Sequence, residues 1–300
     1  MSRKRGTIAA CWPMAIVSAF LFLAPLHVGL AQSSKFSAQI SELLSLAGVG
    51  DAKAQFRLGI AYFAGNSVAR DLVEAQNWFR KAVEQGHVKA MNNLALVLRA
   101  DATSLSQHTQ AVSWFRKAAD QGFAIAQHNL GQMYRDGKGV PRDYSQAAKW
   151  YSKAANQNYL KSLNALALLY RKGLGVEADF EKARDLYTLA AKSGYSRAQF
   201  NLGAMYYSVA VAENDFRIAA QWFKRAAEQK FGPAQRALAI LYAKGEGVPW
   251  DYAEAWFWMT VAAESGNKGA KRSLPALEKK LSASQRHRGQ ELLQIWKRHG

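Results

Sequence analysis

Ser265-Gly266-Asn267-Lys268 places a lysine three residues after a serine. Penicillin-recognising enzymes use that spacing to set an amine beside a nucleophilic hydroxyl at a helix start. Their companion Ser-Asp-Asn and Lys-Thr-Gly motifs do not accompany it, and Ser, Gly, Asn and Lys are ordinary turn residues. The glycine pairs Gly137/Gly139, Gly173/Gly175 and Gly245/Gly247 could cradle a phosphate, but none runs on into Gly-Lys-Ser/Thr and none follows a strand pattern. His87, His108, His128, His287 and His299 show no His-Glu-x-x-His and no pair at helical ligand spacing, so they read as surface or groove residues. Cys11 is the single cysteine, which excludes a disulfide framework and an intrachain thiolate zinc site. No enzymatic activity, metal or cofactor is expected.

What remains is charge. Against 22 Asp and Glu stand 40 Lys and Arg, for a net charge of +18 over 300 residues. Such an excess fits an acidic protein, an anionic polymer or nucleic acid and selects none of them. With 49% hydrophobic and 12% aromatic residues, the chain is too rich in core-forming side chains to be mainly disordered.

The start of the chain has its own pattern. Arg3, Lys4 and Arg5 precede an apolar run from Ile8 to Ala31, interrupted at Pro13 and Pro25 and ending in Gly29-Leu30-Ala31. This reads as a secretory signal peptide over residues 1–31, cleaved after Ala31. An uncleaved membrane anchor over residues 8–31 is the alternative. Cys11 lies near the start of the apolar run and not after it, the wrong place for a lipoprotein signal. Cleavage removes three cations and no acids, lowering the charge from +18 to +15 and leaving a cysteine-free chain suited to the periplasm or the exterior.

Periodicity dominates the rest. Trp78, Trp114, Trp150, Trp222 and Trp258 lie at multiples of 36 residues, with Leu186 in the vacant slot. Leu58, Leu94, Leu130, Leu166, Leu202, Leu238 and Leu274 keep the same step without a break, and Ala54, Ala90, Ala126, Ala198, Ala234 and Ala270 keep it with Ser162 as the exception. A unit of 36 residues therefore repeats six times over 52–267. In the third, Ala126, Leu130 and Tyr134 mark a first helix, Gly137 to Pro141 a turn, and Asp143 the cap of a second helix carrying Ala147, Trp150, Ala154 and Ala155. Asp71 with Glu74 and Asp251 with Glu254 resemble capping boxes at the same place. A helix pair this small cannot bury its apolar face alone, so the units must stack, with Trp, Leu and Tyr filling the gaps. Residues 32–51 and 268–300 supply amphipathic capping helices, the second with a Ser282-to-Gln285 capping box. The second and fifth units carry Ala100 to Ser106 and Ser208 to Ala212 where the others have the glycine turn. Their length is unchanged, so stacking should survive.

The pattern Ala126, Leu130-Gly131, Tyr134, Gly137, Gly139-Val140, Asp143, Ala147, Trp150, Ala154-Ala155, repeated in register, resembles the Sel1-like repeat family, relatives of tetratricopeptide repeats. The resemblance implies an all-α fold, a right-handed superhelical solenoid whose first helices line a concave groove. It also implies the partner-facing positions. These are Lys53, Lys89, Lys161 and Arg197 five before the recurring leucine; Asn92, His128 and Asn164 two before it; Asn93, Asn129 and Asn201 directly before it; and Arg99, Arg135 and Arg171 five after it. The asparagines either clamp a peptide backbone or bond to neighbouring helices. Asp136 is the one acid among the groove positions, and Phe56, Phe63, Phe200 and Tyr207 are the aromatics expected there.

A basic groove with amide donors suits a carboxylate-rich protein segment. The expected function is a non-enzymatic protein-interaction scaffold or regulator in the cell envelope. The alternative is a module for an anionic polymer: peptidoglycan, lipopolysaccharide or, less in keeping with export, nucleic acid. Cysteine-rich members of the family have been described as β-lactamase-like, which makes such an enzyme a remote alternative. The absence of their cysteine pairs here weakens that transfer.

Overall fold

Glycine decides where each unit bends. Gly65, Gly137, Gly173 and Gly245 close their first helices in the left-handed conformation, at φ between 63° and 74°, where a side chain is costly. The chain then turns, and an aspartate starts the second helix: the Asp143 carboxylate accepts from the Gln146 backbone N–H at 2.9 Å, and Asp71, Asp179 and Asp251 cap in the same way.

The computed structural model describes residues 39–299; the signal-peptide reading falls outside them. Fifteen helices follow one another: α1 (39–48), α2 (Ala52–Ala64), α3 (Leu72–Glu84), α4 (Val88–Ala100), α5 (Leu105–Asp120), α6 (Ala124–Asp136), α7 (Tyr144–Ala155), α8 (Leu160–Lys172), α9 (Phe180–Lys192), α10 (Ser196–Val209), α11 (Glu213–Glu228), α12 (Gly232–Lys244), α13 (Tyr252–Glu264), α14 (Lys268–Glu278) and α15 (Ala283–His299). From α2 to α14 each helix packs on the next, and α15 returns onto α13, so the fold is an all-α solenoid in which contacts stay local. Among the described residues no helix is long and apolar enough to cross a membrane.

The recurring leucines are fully buried in units one to three, five and six, at 0–1% exposure, and Leu166 is buried in unit four. The tryptophans divide. Trp150 and Trp258 are buried, as expected, whereas Trp78, Trp114 and Trp222 are only half-buried. The residue after each of these three fills the interior: Phe79 and Phe115 are 0% exposed and Phe223 4%, and Tyr151 and Tyr187 hold the same place in the third and fourth units. Units with glycine at the facing position bring the ring onto the backbone. A Cβ on Gly131 would lie 2.7 Å from the Tyr151 ring, too close for any residue but glycine.

The two glycine-poor turns change the helices that follow. α5 and α11 each run 16 residues, against 12 or 13 for the other second helices within the repeats. In the regular units the second glycine lies on the preceding second helix; a Cβ on Gly139 or Gly175 would enter the backbone of His108 or Tyr144. Thr103 and Val211 cannot sit so close. The helix begins a turn earlier, capped by Ser104 with Gln107 in a reciprocal box or by Asp215 accepting the Val211 and Ala212 N–H groups at 3.3 Å.

Both ends of the array are covered. Ile40 and Leu43 of α1 pack on Ala54 and Leu58. At the other end Trp296 of α15 meets the rings of Phe257 and Trp258 at 6.1 and 5.5 Å. The Ser282 and Gln285 side chains exchange bonds with each other's backbone N–H at 3.2 and 3.0 Å.

Candidate functional site

Amide ladders run across the first helices. Asn129 Nδ2 donates to Asn92 Oδ1 at 2.9 Å, Asn92 Nδ2 to Asn93 Oδ1 at 3.1 Å, and Asn201 Nδ2 to Asn164 Oδ1 at 2.7 Å. Asn129 and Asn201, each directly before its leucine, thus reach the polar residue of the preceding first helix, whereas Asn93 bonds within α4. Asn92 and Asn129, read from sequence as partner-facing, are buried and bonded to neighbours. Of the two readings left open for the asparagines, bonding between helices is the arrangement observed.

Between α6 and α8 the rung is absent, as it is between α10 and α12, where Ala237 takes the slot. Ala165 stands in the asparagine slot on α8, and nothing there can reach His128 on α6. His128 Nδ1 instead pairs with Ser162 Oγ at 2.8 Å, the serine that interrupts the alanine series. The histidine is buried, packed between Tyr151 and Tyr159, and is a correction to its reading as a surface residue. Beside the gap lies a hollow of about 470 Å³, with Ala165 and Leu168 on its wall.

Six residues picked out by periodicity converge on this hollow: His128, Arg135, Lys161, Asn164, Arg197 and Asn201. Phe200, Tyr195 and Phe231 form its aromatic wall, with Phe200 and Phe231 centroids 5.5 Å apart. The positive field is strong enough to register on the histidine. Burial first, and then the charges of Lys161, Arg135 and Arg99, push its pKa down to about 4, so it is neutral at physiological pH. Arg135 grips Asp136 through two bonds of 2.7 and 3.1 Å, which raises its pKa further. Among the described residues Lys161 and Arg197 have no carboxylate partner; Arg197 lies 6.0 Å above the Phe231 ring.

The other picked residues sit elsewhere. Arg99 is half-buried above Phe115 and donates to Gln132 at 3.5 Å. Lys53 and Lys89 are exposed at the starts of α2 and α4, and Arg171 lies at the end of α8, close enough to Tyr187 to act on its pKa.

Sequence reasoning missed a second ladder. Gln55, Gln127, Gln199 and Gln235, on the 36-residue step, are buried and donate to the Ala47, Ala119, Ala191 and Ala227 carbonyls at 3.1–3.2 Å. Gln85, Gln157 and Gln229 donate in turn to the first three at 2.8–2.9 Å. These bonds satisfy helix-end carbonyls and tie unit to unit. Their shared period was the available signal.

The motifs with catalytic spacing resolve into turn structure. Ser265 Oγ donates to the Val261 carbonyl at 2.9 Å, Gly266 is left-handed, and Asn267 caps α14 through the Ala270 N–H at 2.9 Å. Among the described residues no three His, Cys, Asp or Glu side chains gather as a metal site.

Comparison with known proteins agrees with this architecture. The Sel1 repeat model matches six consecutive segments, 52–87, 88–123, 124–159, 160–195, 196–231 and 232–267. The fold is similar to that of a protective antigen present in uropathogenic Escherichia coli strains displaying an SLR fold, with 34% identity, a TM-score of 0.71 and coverage of 84% of this chain and 55% of that one. It is also similar to a Sel1 repeat protein from Oxalobacter formigenes, at 34% identity and a TM-score of 0.68, covering 78% and 68% of the two chains. The secretory immunoglobulin A-binding protein EsiB of E. coli O6:H1 is 46% identical over 43 residues, 14% of this chain and 9% of that protein. The chain thus spans about half of the antigen and a small part of EsiB. It belongs to the Sel1 repeat family, as a scaffold of six units of the kind typically used for protein–protein interaction.

Proposed function

We propose that this protein is a non-enzymatic adaptor or regulator that holds an acidic, extended segment of a partner protein in the first-helix groove, centred on the hollow between α6, α8 and α10. The observation that carries this reading is the convergence there of Arg135, Lys161 and Arg197 with uncharged donors. Cations without carboxylate partners stabilise an incoming carboxylate more than cations already neutralised. The signal-like pattern of residues 1–31 supports export and action in the cell envelope, either free after cleavage or held by residues 8–31. EsiB, named for a protein ligand, agrees with a protein partner in kind; its match covers little more than one unit, so its own ligand is not carried over.

An anionic polymer is the rival occupant. Such binding draws on exposed aromatic faces as stacking platforms. Here the repeat tryptophans are covered by their own helices: Lys81, Lys117 and Lys153 lie 4.0–4.1 Å from the centres of Trp78, Trp114 and Trp150, and Arg225 lies 4.7 Å from Trp222. Trp250 is exposed, but in the turn before α13 and outside the lining of the hollow. This favours the protein segment. The test is fluorescence anisotropy with a short labelled peptide rich in glutamate and phenylalanine, at low and high salt, with lipopolysaccharide and murein fragments as competitors. Salt-sensitive binding weakened by Lys161→Glu with Arg197→Glu is expected. Binding of the polymers alone would overturn the reading.

A further inference from the structure

We infer that the hollow reads the backbone N–H and C=O of one acidic residue of the partner, held extended with an aromatic residue beside it; this rests on the groove reading above. The Asn164–Asn201 pair is polarised. Their mutual bond uses the acceptor of Asn164 and one donor of Asn201. Asn164 Nδ2 and Asn201 Oδ1 remain, on two residues that line the hollow, with Asn164 only 8% exposed. A donor and an acceptor side by side complement the C=O and N–H of one residue in an extended segment, which point to the same side.

The equivalent pair on α4 and α6 offers less, because one Asn92 Nδ2 hydrogen already goes to Asn93 and neither residue of that pair lines the hollow. Asn164 and Asn201 line it beside Ala165. The site arises where the asparagine series is broken at Ala165 and the groups beside the break keep hydrogen-bonding capacity.

The flanks set the side chains. Lys161 and Arg197 stand three and four residues before Asn164 and Asn201, one helical turn along the same faces. They supply the cations for the carboxylate of the seated residue. Phe200 and Phe231 supply an aromatic surface with the Arg197 guanidinium above Phe231. A partner aromatic ring fits between that surface and Leu168.

The test alters the ligand and leaves the protein intact, so folding is not at issue. The parent probe is a fluorescein-labelled peptide, Ser-Gly-Phe-Glu-Phe-Gly-Ser, whose glutamate has phenylalanine on both sides and so serves either chain direction. One analogue replaces the two amides flanking glutamate with esters, removing their N–H donors. A second replaces glutamate with glutamine, and a third replaces both phenylalanines with alanine. The ester analogue should bind about tenfold more weakly than the parent with the same dependence on salt, the size expected when a buried acceptor loses its donor. The glutamine and alanine analogues should weaken too. If ester and parent bind equally while the glutamine analogue is weak, charge alone is read; the backbone inference fails and the groove reading stands. If ester and alanine analogues both match the parent, the inference fails on both flanks. If the parent does not bind, or binds no better than the glutamine analogue, inference and groove reading fall together.

Discussion

The two faces of the solenoid are both basic, and they use their charge differently. On the second helices of the first, second, third and fifth units a cation lies over a tryptophan three residues earlier, as Lys117 does over Trp114. Each ammonium then has a partner inside its own helix. On the first helices Lys161 and Arg197 have no carboxylate partner among the described residues and border a hollow. The periodic arrangement covers its own surface, whereas the site lies where Ala165 and Ser162 interrupt the period. In a repeat protein, departure from the repeat is therefore the more informative signal for function.

The comparison can be broken most severely at the tryptophans. If the aromatic that follows each one carries the core, Phe115→Ala should cost about 3–5 kcal/mol, the range for emptying a buried aromatic site. Trp114→Ala should cost roughly half as much, because part of that ring is already in water. Urea unfolding monitored by circular dichroism measures both. Equal losses would restore the tryptophans to the centre of the core.

Binding is the next largest effect. Lys161→Glu with Arg197→Glu should weaken the glutamate- and phenylalanine-containing peptide by about a hundredfold at low salt, with far less loss at high salt. The outward pair Lys117→Glu with Lys153→Glu makes the same change in net charge and should leave affinity within about twofold, since distant exposed charges are screened. Similar losses from both pairs would mean that net charge, and not the hollow, attracts the ligand.

His128 gives a pH test of the broken rung. Its folded pKa, about 4, lies below the usual histidine value of 6.5, so protons favour the unfolded chain. The stability it contributes is complete above pH 6.5, falls as pH drops toward 4 and changes little below. The loss should reach up to about 3 kcal/mol. Urea unfolding between pH 7.5 and 4 should show a shallower decline in His128→Gln than in the parent protein; parallel curves would show that the buried imidazole does not govern the difference.

The outward cations should matter least. Lys117→Met, which keeps the aliphatic stem and removes the charge, should cost about 0.5–1 kcal/mol. Thermal unfolding of this variant in the Trp114→Ala background should show almost no further loss, because the ring that the ammonium covers has gone.

Much of this organisation was legible in the residues. Leu58 through Leu274 set the step, Gly137 and Gly173 marked the ends of first helices, and Asp71, Asp143 and Asp251 marked the starts of second ones. These signals are local: a left-handed glycine or a capping carboxylate acts within a few residues. The role of Trp114 was harder to read, because neighbouring aromatics in one helix point in different directions and only packing shows which is enclosed. His128 was misplaced for the same reason; its burial depends on Ser162, 34 residues away. The basic groove positions were named from the repeat register, but the register gave Lys53 and Arg197 equal standing. Only the gap at Ala165 separates them, and its meaning comes from the direction of the Asn201 to Asn164 bond.

The most direct test of the central claim is zero-length carbodiimide cross-linking of the glutamate peptide to the protein, with the joined lysines located by mass spectrometry. A single glutamate can couple only to an ammonium it touches. The account predicts coupling at Lys161 on the wall of the hollow, suppressed by excess unlabelled peptide. Coupling concentrated at Lys81, Lys117 and Lys153, with Lys161 unmodified, would place the ligand on the opposite face and contradict it.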